Sequence, residues 1–316
     1  MDDKEESPSP VEGFYGTASP APSSDTTPFV DGMVAQTASP VDMPNIITAN
    51  LGYRLISILG QGGMGVVYRG YDQNLERDVA IKVLRSKYAD KPRIVERFLS
   101  EALIKSSLQH PGITPVYATG VCADGRPFYA MKLIEGETFS RLLSKRGKSC
   151  SFRGLRIFSY VCQTMAYAHS KGIVHLDLKP SNIMIDTFDR VRVIDWGLAR
   201  RIGSPGIEAG GYDFDMEYSL SSDASDTQSG CIRGTPAYMA PEQARGELLD
   251  ARTDVFALGA ILCEILTGKP IYRADHPQNI LLHAIRGATS GAIGELAKQE
   301  TAQWLVGLVT RCLSAD

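Results

Sequence analysis

Hydrophobic positions along the chain follow two periods. Between Tyr53 and Met131 they recur mostly in short β-branched and aromatic runs, the pattern of strands. Tyr53–Leu59 predicts a first strand, and Val66-Val67-Tyr68-Arg69 opens a second that reaches about Tyr71. The turn Asp72-Gln73-Asn74 leads to a third strand over Val79–Leu84, with Ile81 and Val83 on one face and Ala80 and Lys82 on the other. Asp90–Ser107 breaks the pattern: Ile94, Phe98, Ala102 and Ile104 or Leu108 recur at helical spacing, Asp90 is placed to cap, and Pro92 sits in the first turn. His110-Pro111-Gly112-Ile113 links to a fourth strand, and Asp124-Gly125 turns it into a fifth, Pro127–Met131.

Beyond Gly136 the helical period dominates. Phe152–Lys171, with Leu155, Phe158, Cys162, Met165 and His169, predicts an amphipathic helix ended by Gly172. Asp254-Val255-Phe256-Ala257-Leu258-Gly259 opens an apolar helix, and Trp304–Leu313 predicts another. Two short apolar segments interrupt this half, Ile183–Ile185 and Val191–Ile194. Residues 1 to about 48 carry neither period. They are rich in Pro, Ser and Thr, and eight acidic residues against Lys4 give a charge of about −7. Such a segment buries too little apolar surface to offset its ordering entropy, so a disordered leader is expected there, with its Ser-Pro and Thr-Pro dipeptides open to modification.

Composition narrows the options further. Net charge is −3 over 316 residues, which gives no reason to expect a nucleic acid or an anionic membrane as partner. Without the leader the remainder is near +4, mildly favouring acidic ligands such as nucleotides. The six cysteines, at 122, 150, 162, 231, 263 and 312, form no C-x-x-C pair and suit a reducing, cytoplasmic setting. No apolar run reaches the length of a membrane span. The longest candidate, Val255–Leu266, is interrupted by Glu264, so a membrane anchor would have to lie outside this chain.

The chemistry concentrates at two places. Asp177, Lys179 and Asn182 stand at i, i+2 and i+5 just before one short apolar segment, and Asp195 follows the other. Two carboxylates, an ammonium and a carboxamide on loops between strands are the groups that phosphoryl transfer to a hydroxyl requires: a proton acceptor, oxygen ligands for a divalent metal, and a cation for the moving charge. Gly60-Gln61-Gly62-Gly63-Met64-Gly65 is ambiguous alone, since a dinucleotide fold uses similar spacing. Its continuation into a strand instead of a helix favours a loop that covers a nucleotide, with a plain hairpin as the remaining reading. Lys82 points inward from an apolar strand and needs a partner. Glu101 on the following helix is the choice, with Glu96 the competitor.

Taken together, Gly60–Val67, Val79-Ala80-Ile81-Lys82, His175-Leu176-Asp177-Leu178-Lys179-Pro180-Ser181-Asn182, Asp195-Trp196-Gly197 and Ala240-Pro241-Glu242 resemble, in order, the motifs of protein kinases, and specifically the bacterial eukaryotic-like serine/threonine kinases. The resemblance covers about residues 53–316, over three-quarters of the chain. It implies an α+β bilobal fold: a five-stranded antiparallel lobe with one helix over 53–134, and a mainly helical lobe over 135–316. It implies transfer of the γ-phosphoryl group of ATP, with Mg²⁺ or Mn²⁺, to Ser or Thr hydroxyls of proteins, autophosphorylation included.

Site residues follow from the same resemblance. Asp177 receives or orients the hydroxyl, Lys179 steadies the γ-phosphate, and Asn182 and Asp195 hold the metal. Lys82 pairs with Glu101, and Thr235, in Gly234–Glu242, bonds Asp177 and Lys179. Leu59, Gly60, Gln61, Gly62, Gly63, Met64, Gly65, Val66 and Val67 form the nucleotide loop; Ala80 and Val67 sandwich the adenine over Met184. Met131 stands behind the ring, and the Lys132 carbonyl and Ile134 amide meet its edge. His175 is expected to pack near Trp196, His169 to be a packing residue, and Asp254 to tie down the catalytic-loop backbone.

Several positions depart from the pattern. Leu176 stands where many kinases have the Arg that pairs with a phosphorylated activation segment, so dependence on that phosphorylation should be weaker. Trp196 replaces Phe, and Lys132 replaces an acidic residue. Lys105 occupies a usually apolar or small position, where its charge should either snorkel outward or disfavour the active helix position. Gly203–Ser229 reads as an insertion, with Ser219, Ser221, Ser222, Ser225, Thr227 and Ser229 as candidate autophosphorylation sites. The chain stops before the helix that usually brings an Arg to Glu242, so a longer protein is expected. Two other readings stay open: a pseudokinase that binds without transferring, and a small-molecule phosphotransferase of related fold.

Overall fold

The computed structural model describes residues 52–145, 152–203, 236–274, 276–299 and 301–314. The expected leader over 1–48 and the candidate phosphorylation sites of 219–229, together with Cys150, Cys231 and Thr235, lie outside these residues.

Five strands come first: β1 (Tyr53–Gln61), β2 (Gly65–Asp72), β3 (Arg77–Leu84), β4 (Val116–Val121) and β5 (Pro127–Lys132). They form one antiparallel sheet in the order β1-β2-β3-β5-β4, with helix α1 (Pro92–Ser107) between β3 and β4 in sequence. The period-two pattern sorts the side chains. Ile81 and Val83 enter one cluster with Tyr53, Val66, Tyr68, Val79, Phe128 and Ala130. On the opposite face Tyr129, with Met131 beside it, packs on Phe98 and Ala102 of α1. Register puts Val67 across from Lys82, Lys82 across from Tyr129, and Ala80 across from Met131. Directly paired residues share a face, so these five stand together on the α1 side.

The second half is mainly helical: α2 (Phe139–Ser144), α3 (Phe152–Ser170), α4 (Pro241–Arg245), α5 (Ala251–Thr267), α6 (Pro277–Arg286), α7 (Ser290–Ala297) and α8 (Gln303–Cys312). Short strands β6 (Gly136–Thr138), β8 (Ile183–Asp186) and β9 (Val191–Val193) form a three-stranded sheet; β7 (Ile173–Val174) pairs with β10 (Arg200–Arg201). The architecture is the expected bilobal α+β fold. Its central element is α5, hydrophobic nearly all round and buried along its length. Asp250 caps it by accepting from Arg252 N at 2.7 Å, and Gly268 ends it at φ 73°. Ala257, Leu258, Ile261 and Ile265 of α5 join the core formed by α3, β8 and β9, while Phe256, Ala260 and Cys263 serve the cluster facing α7 and α8.

One capping expectation fails. The helix begins at Pro92 and its N-cap is Lys91, whose side chain makes no capping bond; Asp90 does not cap it. A 3-10 turn over Ser86–Tyr88 delivers the chain to Pro92, and the ring at the first position makes one missing amide harmless.

Candidate active site

Two clusters of polar side chains meet between the halves. The first starts from Lys82 on β3. Its ammonium is buried, and Nζ donates to Glu101 Oε2 of α1 at 2.7 Å and lies 3.8 Å from Asp195 Oδ1. Burial opposes its charge, yet Glu101 and Asp195 hold its pKa above the ordinary lysine value. Glu96 has no part in this pair. Tyr129 completes the carboxylate by donating its hydroxyl to Glu101 Oε1 at 2.7 Å. Burial and the Glu101 charge push the Tyr129 phenol far up, which keeps it a donor.

The second cluster lies on the loop after β7. Lys179 Nζ contacts both Asp177 oxygens, at 3.0 and 2.9 Å, and burial is outweighed by Asp177 in raising its pKa. Asn182 Nδ2 donates to Asp177 O at 2.8 Å and Asp177 Oδ2 at 2.9 Å. That commits its amide nitrogen to the loop and leaves its oxygen for another partner. The clusters are joined through backbone: Ile194 N donates to Asn182 O at 2.8 Å, one residue before Asp195. Asp195 sits at φ 56° with its side chain half exposed to the cleft. Desolvation raises its pKa, but Lys82 and then Lys179 outweigh it and hold it below the ordinary carboxylate value.

His175 and Asp254 hold this geometry. Asp177 N donates to His175 Nδ1 at 3.2 Å, and the ring's other nitrogen faces Ile194 O at 3.2 Å. Since an amide only donates and a carbonyl only accepts, the hydrogen is on Nε2. The ring packs edge-on against Trp196 at 4.7 Å. Trp196 is fully buried with its indole nitrogen bonded to Val193 O at 3.2 Å, so the larger ring keeps the packing expected of Phe. Asp254, fully buried on α5, accepts from His175 N at 2.8 Å, Leu176 N at 2.9 Å and His169 Nε2 at 2.8 Å. His169 is therefore a member of the brace and not merely packing. Leu176 adopts φ 64°, an unfavourable backbone for a leucine, and buries its side chain with Val174 and Leu249.

The glycine loop turns tightly, with Gly62 N donating to Gly65 O at 2.8 Å. A Cβ on Gly65 would stand 2.9 Å from Val83 O, so the close approach of β2 to β3 demands glycine. Leu59, Gly60, Gln61, Val66 and Val67 lie on β1 and β2 beside this turn, with Gly63 in it. Met64, at the tip, is folded inward onto Phe98, Leu84 and Tyr88. Met184 lies buried on β8, across from Thr138 and Arg192, while Lys132 and Ile134 stand on the connection between halves. Desolvation, then Arg192 and Arg190, lower the pKa of Lys132.

Three residues escaped sequence reasoning. Arg97, one turn before Glu101, donates Nε to Gly197 O at 3.1 Å and ties α1 to the loop after Asp195. Gln243 Nε2 donates to Leu176 O at 2.7 Å. Thr253 Oγ1 donates to Glu242 Oε1 at 2.9 Å, so that glutamate has a partner within the chain. Only helical phase could have pointed to Arg97; nothing local marks the other two.

Lys105 requires a correction. It neither snorkels outward nor displaces the helix: the side chain is 3% exposed and the Lys82–Glu101 pair is formed beside it. Leu103, on the outward face, is 66% exposed, so the phase of α1 carries Lys105 inward.

The donor set fits a hard divalent cation. Asp195 has a half-exposed carboxylate and Asn182 an oxygen not used by its own bonds to Asp177, and among the described residues no cluster of three His, Cys, Asp or Glu side chains forms a self-sufficient cage. A site with few protein ligands, completed by substrate phosphates, suits Mg²⁺-like ions.

A model of the protein kinase domain family matches residues 53–316. Serine/threonine-protein kinase PknD of Protochlamydia amoebophila (strain UWE25) is 36% identical over 276 residues, covering 84% of this chain and 28% of that protein. Serine/threonine-protein kinase PknB of Mycobacterium tuberculosis (strain H37Ra) is 38% identical over 237 residues, covering 74% of this chain and 35% of that protein. PknD of Chlamydia caviae is 37% identical over 276 residues, covering 84% and 29%. The chain thus spans about a third of the length of these curated relatives. Proteins with this domain use ATP and a divalent metal ion. With motif order, fold and site geometry in agreement, the chain belongs to the protein kinase domain family.

Proposed function

We propose that this chain is a serine/threonine protein kinase domain that moves the γ-phosphoryl group of ATP to Ser or Thr hydroxyls of proteins, its own chain included. The observation that carries the reading is the joining of two clusters, Lys82–Glu101–Asp195 and Asp177–Lys179–Asn182, through Ile194. It is supported by the names of the relatives and by Lys179 two positions after Asp177.

Asp177 orients the acceptor hydroxyl and takes its proton, and Lys179, already within 3.0 Å of that carboxylate, follows the charge onto the γ-phosphate. Lys82, held by Glu101, binds the α- and β-phosphates. Asn182 and Asp195 would hold Mg²⁺ or Mn²⁺, which would supply positive charge to offset that of the phosphates. The loop from Leu59 to Val67 covers the triphosphate. Val67 and Ala80 cover the adenine from above and Met184 from below, with Met131 behind and the Lys132 carbonyl and Ile134 amide at its edge. Thr235 positions the substrate hydroxyl against Asp177. The lobes divide at about 134/135, and the domain works in the cytoplasm.

Incubating the purified chain with radiolabelled ATP and Mg²⁺ or Mn²⁺, then mapping phosphopeptides, tests the reading. Label on Ser or Thr, reduced at least about a hundredfold in Asp177→Asn, supports it. Equal incorporation by Asp177→Asn refutes the role of Asp177, and no incorporation with retained nucleotide binding establishes a pseudokinase instead.

A further inference from the structure

Glu101 has more than one cation. Lys82 takes Oε2 at 2.7 Å, and on the other side Lys105 Nζ stands 3.9 Å from Oε1. Lys105 lies behind Met131, its Nζ 3.3 Å from the thioether sulfur, and 5.0 Å from the centroid of the Tyr129 ring. A sulfur, a ring face and a carboxylate beyond hydrogen-bond distance satisfy a buried ammonium poorly. If the position served packing alone, a Met or Leu would fill it without that penalty.

The charge is explained by what Lys82 must do. In the structure Lys82 is shared between Glu101 and Asp195. When a nucleotide's phosphates share the Lys82 ammonium, Glu101, buried on α1, keeps only part of that cation and otherwise has Tyr129 as a neutral donor. We infer that Lys105 is a positioning residue that supplies the second cation for Glu101, holding its carboxylate in place and α1 in register while Lys82 engages the nucleotide. The inference rests on the reading of the chain as an ATP-dependent phosphotransferase.

The groups facing Lys105 are Glu101 on its own helix, Lys82 from β3, Tyr129 and Met131 from β5, and Asp195 from the loop after β9. Burial lowers its pKa; Glu101 resists this, Lys82 adds to it, and the result is about 8. The second cation is thus present below that pH and fades above it.

The test compares the unmodified chain, Lys105→Met and Lys105→Arg between about pH 6.5 and 9.5. Steady-state phosphotransfer gives KM for ATP and kcat, and titration calorimetry with a non-hydrolysable ATP analogue and Mg²⁺ gives Kd. Lys105→Met is expected to raise KM and Kd about tenfold with kcat changed less than about threefold, and Lys105→Arg to restore most of the loss. In the unmodified chain KM and Kd should climb above about pH 8, and in Lys105→Met they should not. Unchanged or tighter nucleotide binding in Lys105→Met, or a flat Kd profile in the unmodified chain, overturns the inference. Should Lys105→Met fail to fold, the unmodified profile decides alone. Absence of phosphotransfer in the unmodified chain would count against the kinase reading only, because the calorimetric Kd profile still decides the role of Lys105.

Discussion

Replacing Asp254 by Asn isolates what the α5 brace contributes. The carboxylate accepts three bonds, from His175 N, Leu176 N and His169 Nε2, all within 2.9 Å, and is fully buried. An asparagine offers one oxygen and one NH₂. If the oxygen faces His175 and His169, the NH₂ confronts the Leu176 amide, donor against donor; reversed, it confronts the other two. The gentler orientation orphans one buried backbone donor, at about 1–3 kcal/mol, and downgrades two charge-assisted bonds to neutral ones, at about 1 kcal/mol together. Destabilisation of about 2–4 kcal/mol follows, measured as a shift in the urea midpoint at constant slope. Activity should fall further than stability alone explains. Leu176 is held at φ 64°, a conformation costing on the order of 1 kcal/mol or more, and the amide bond to Asp254 opposes its relaxation. Once released, the adjacent Asp177 loses its aim, and kcat should drop more than about tenfold under conditions where the variant is fully folded. A variant within about 0.5 kcal/mol of the unmodified chain and with unchanged kcat would refute the reasoning.

Other perturbations separate electrostatics from packing. Lys105→Met should stabilise the domain at pH 7: the folded-state pKa of about 8 lies below the ordinary 10.5, so stability is lowest below pH 8 and rises toward 10.5. The gap, up to about 3 kcal/mol by urea unfolding at pH 7, should close by about pH 10.5. Asp186 behaves oppositely: burial raises its pKa, but the Arg190 amide, the Arg190 and Arg192 side chains and the Phe188 amide bring it to about 2. Its contribution, about 2 kcal/mol, is complete above about pH 4 and lost as pH falls through 2; Asp186→Asn should remove that acid limb from the stability profile. Leu176→Arg should cost about 3 kcal/mol of unfolding free energy, because the side chain must enter the apolar cluster of Val174 and Leu249.

Elements with a dominant local period were readable in the sequence. Ile81 and Val83 divided from Ala80 and Lys82 because strand alternation is enforced by the pleat, and α5 announced itself through continuous hydrophobicity. Motif spacing brought Asp177, Lys179 and Asn182 to one loop, where their contacts are nearly all local. What escaped was long-range. Thr253 and Glu242 meet only once α4 and α5 have packed, and Gln243 and Leu176 only once α4 has packed on the loop after β7; no local pattern encodes either meeting. His169 fitted an apolar helix face equally well as packing or as a donor to Asp254, and only the position of α5 decides. Lys105 departs from its expectation because a charged side chain argues for outward placement, while the phase of α1 turns it inward.

The placement of Lys105 behind Met131 also bears on small-molecule inhibition. A compound occupying the adenine site proposed above and extending past the Met131 thioether toward α1 would reach an ammonium instead of a greasy hollow. Carboxylate or sulfonamide tails should gain there, alkyl and aryl tails should lose, and the preference should weaken in alkaline buffer as the amine gives up its proton.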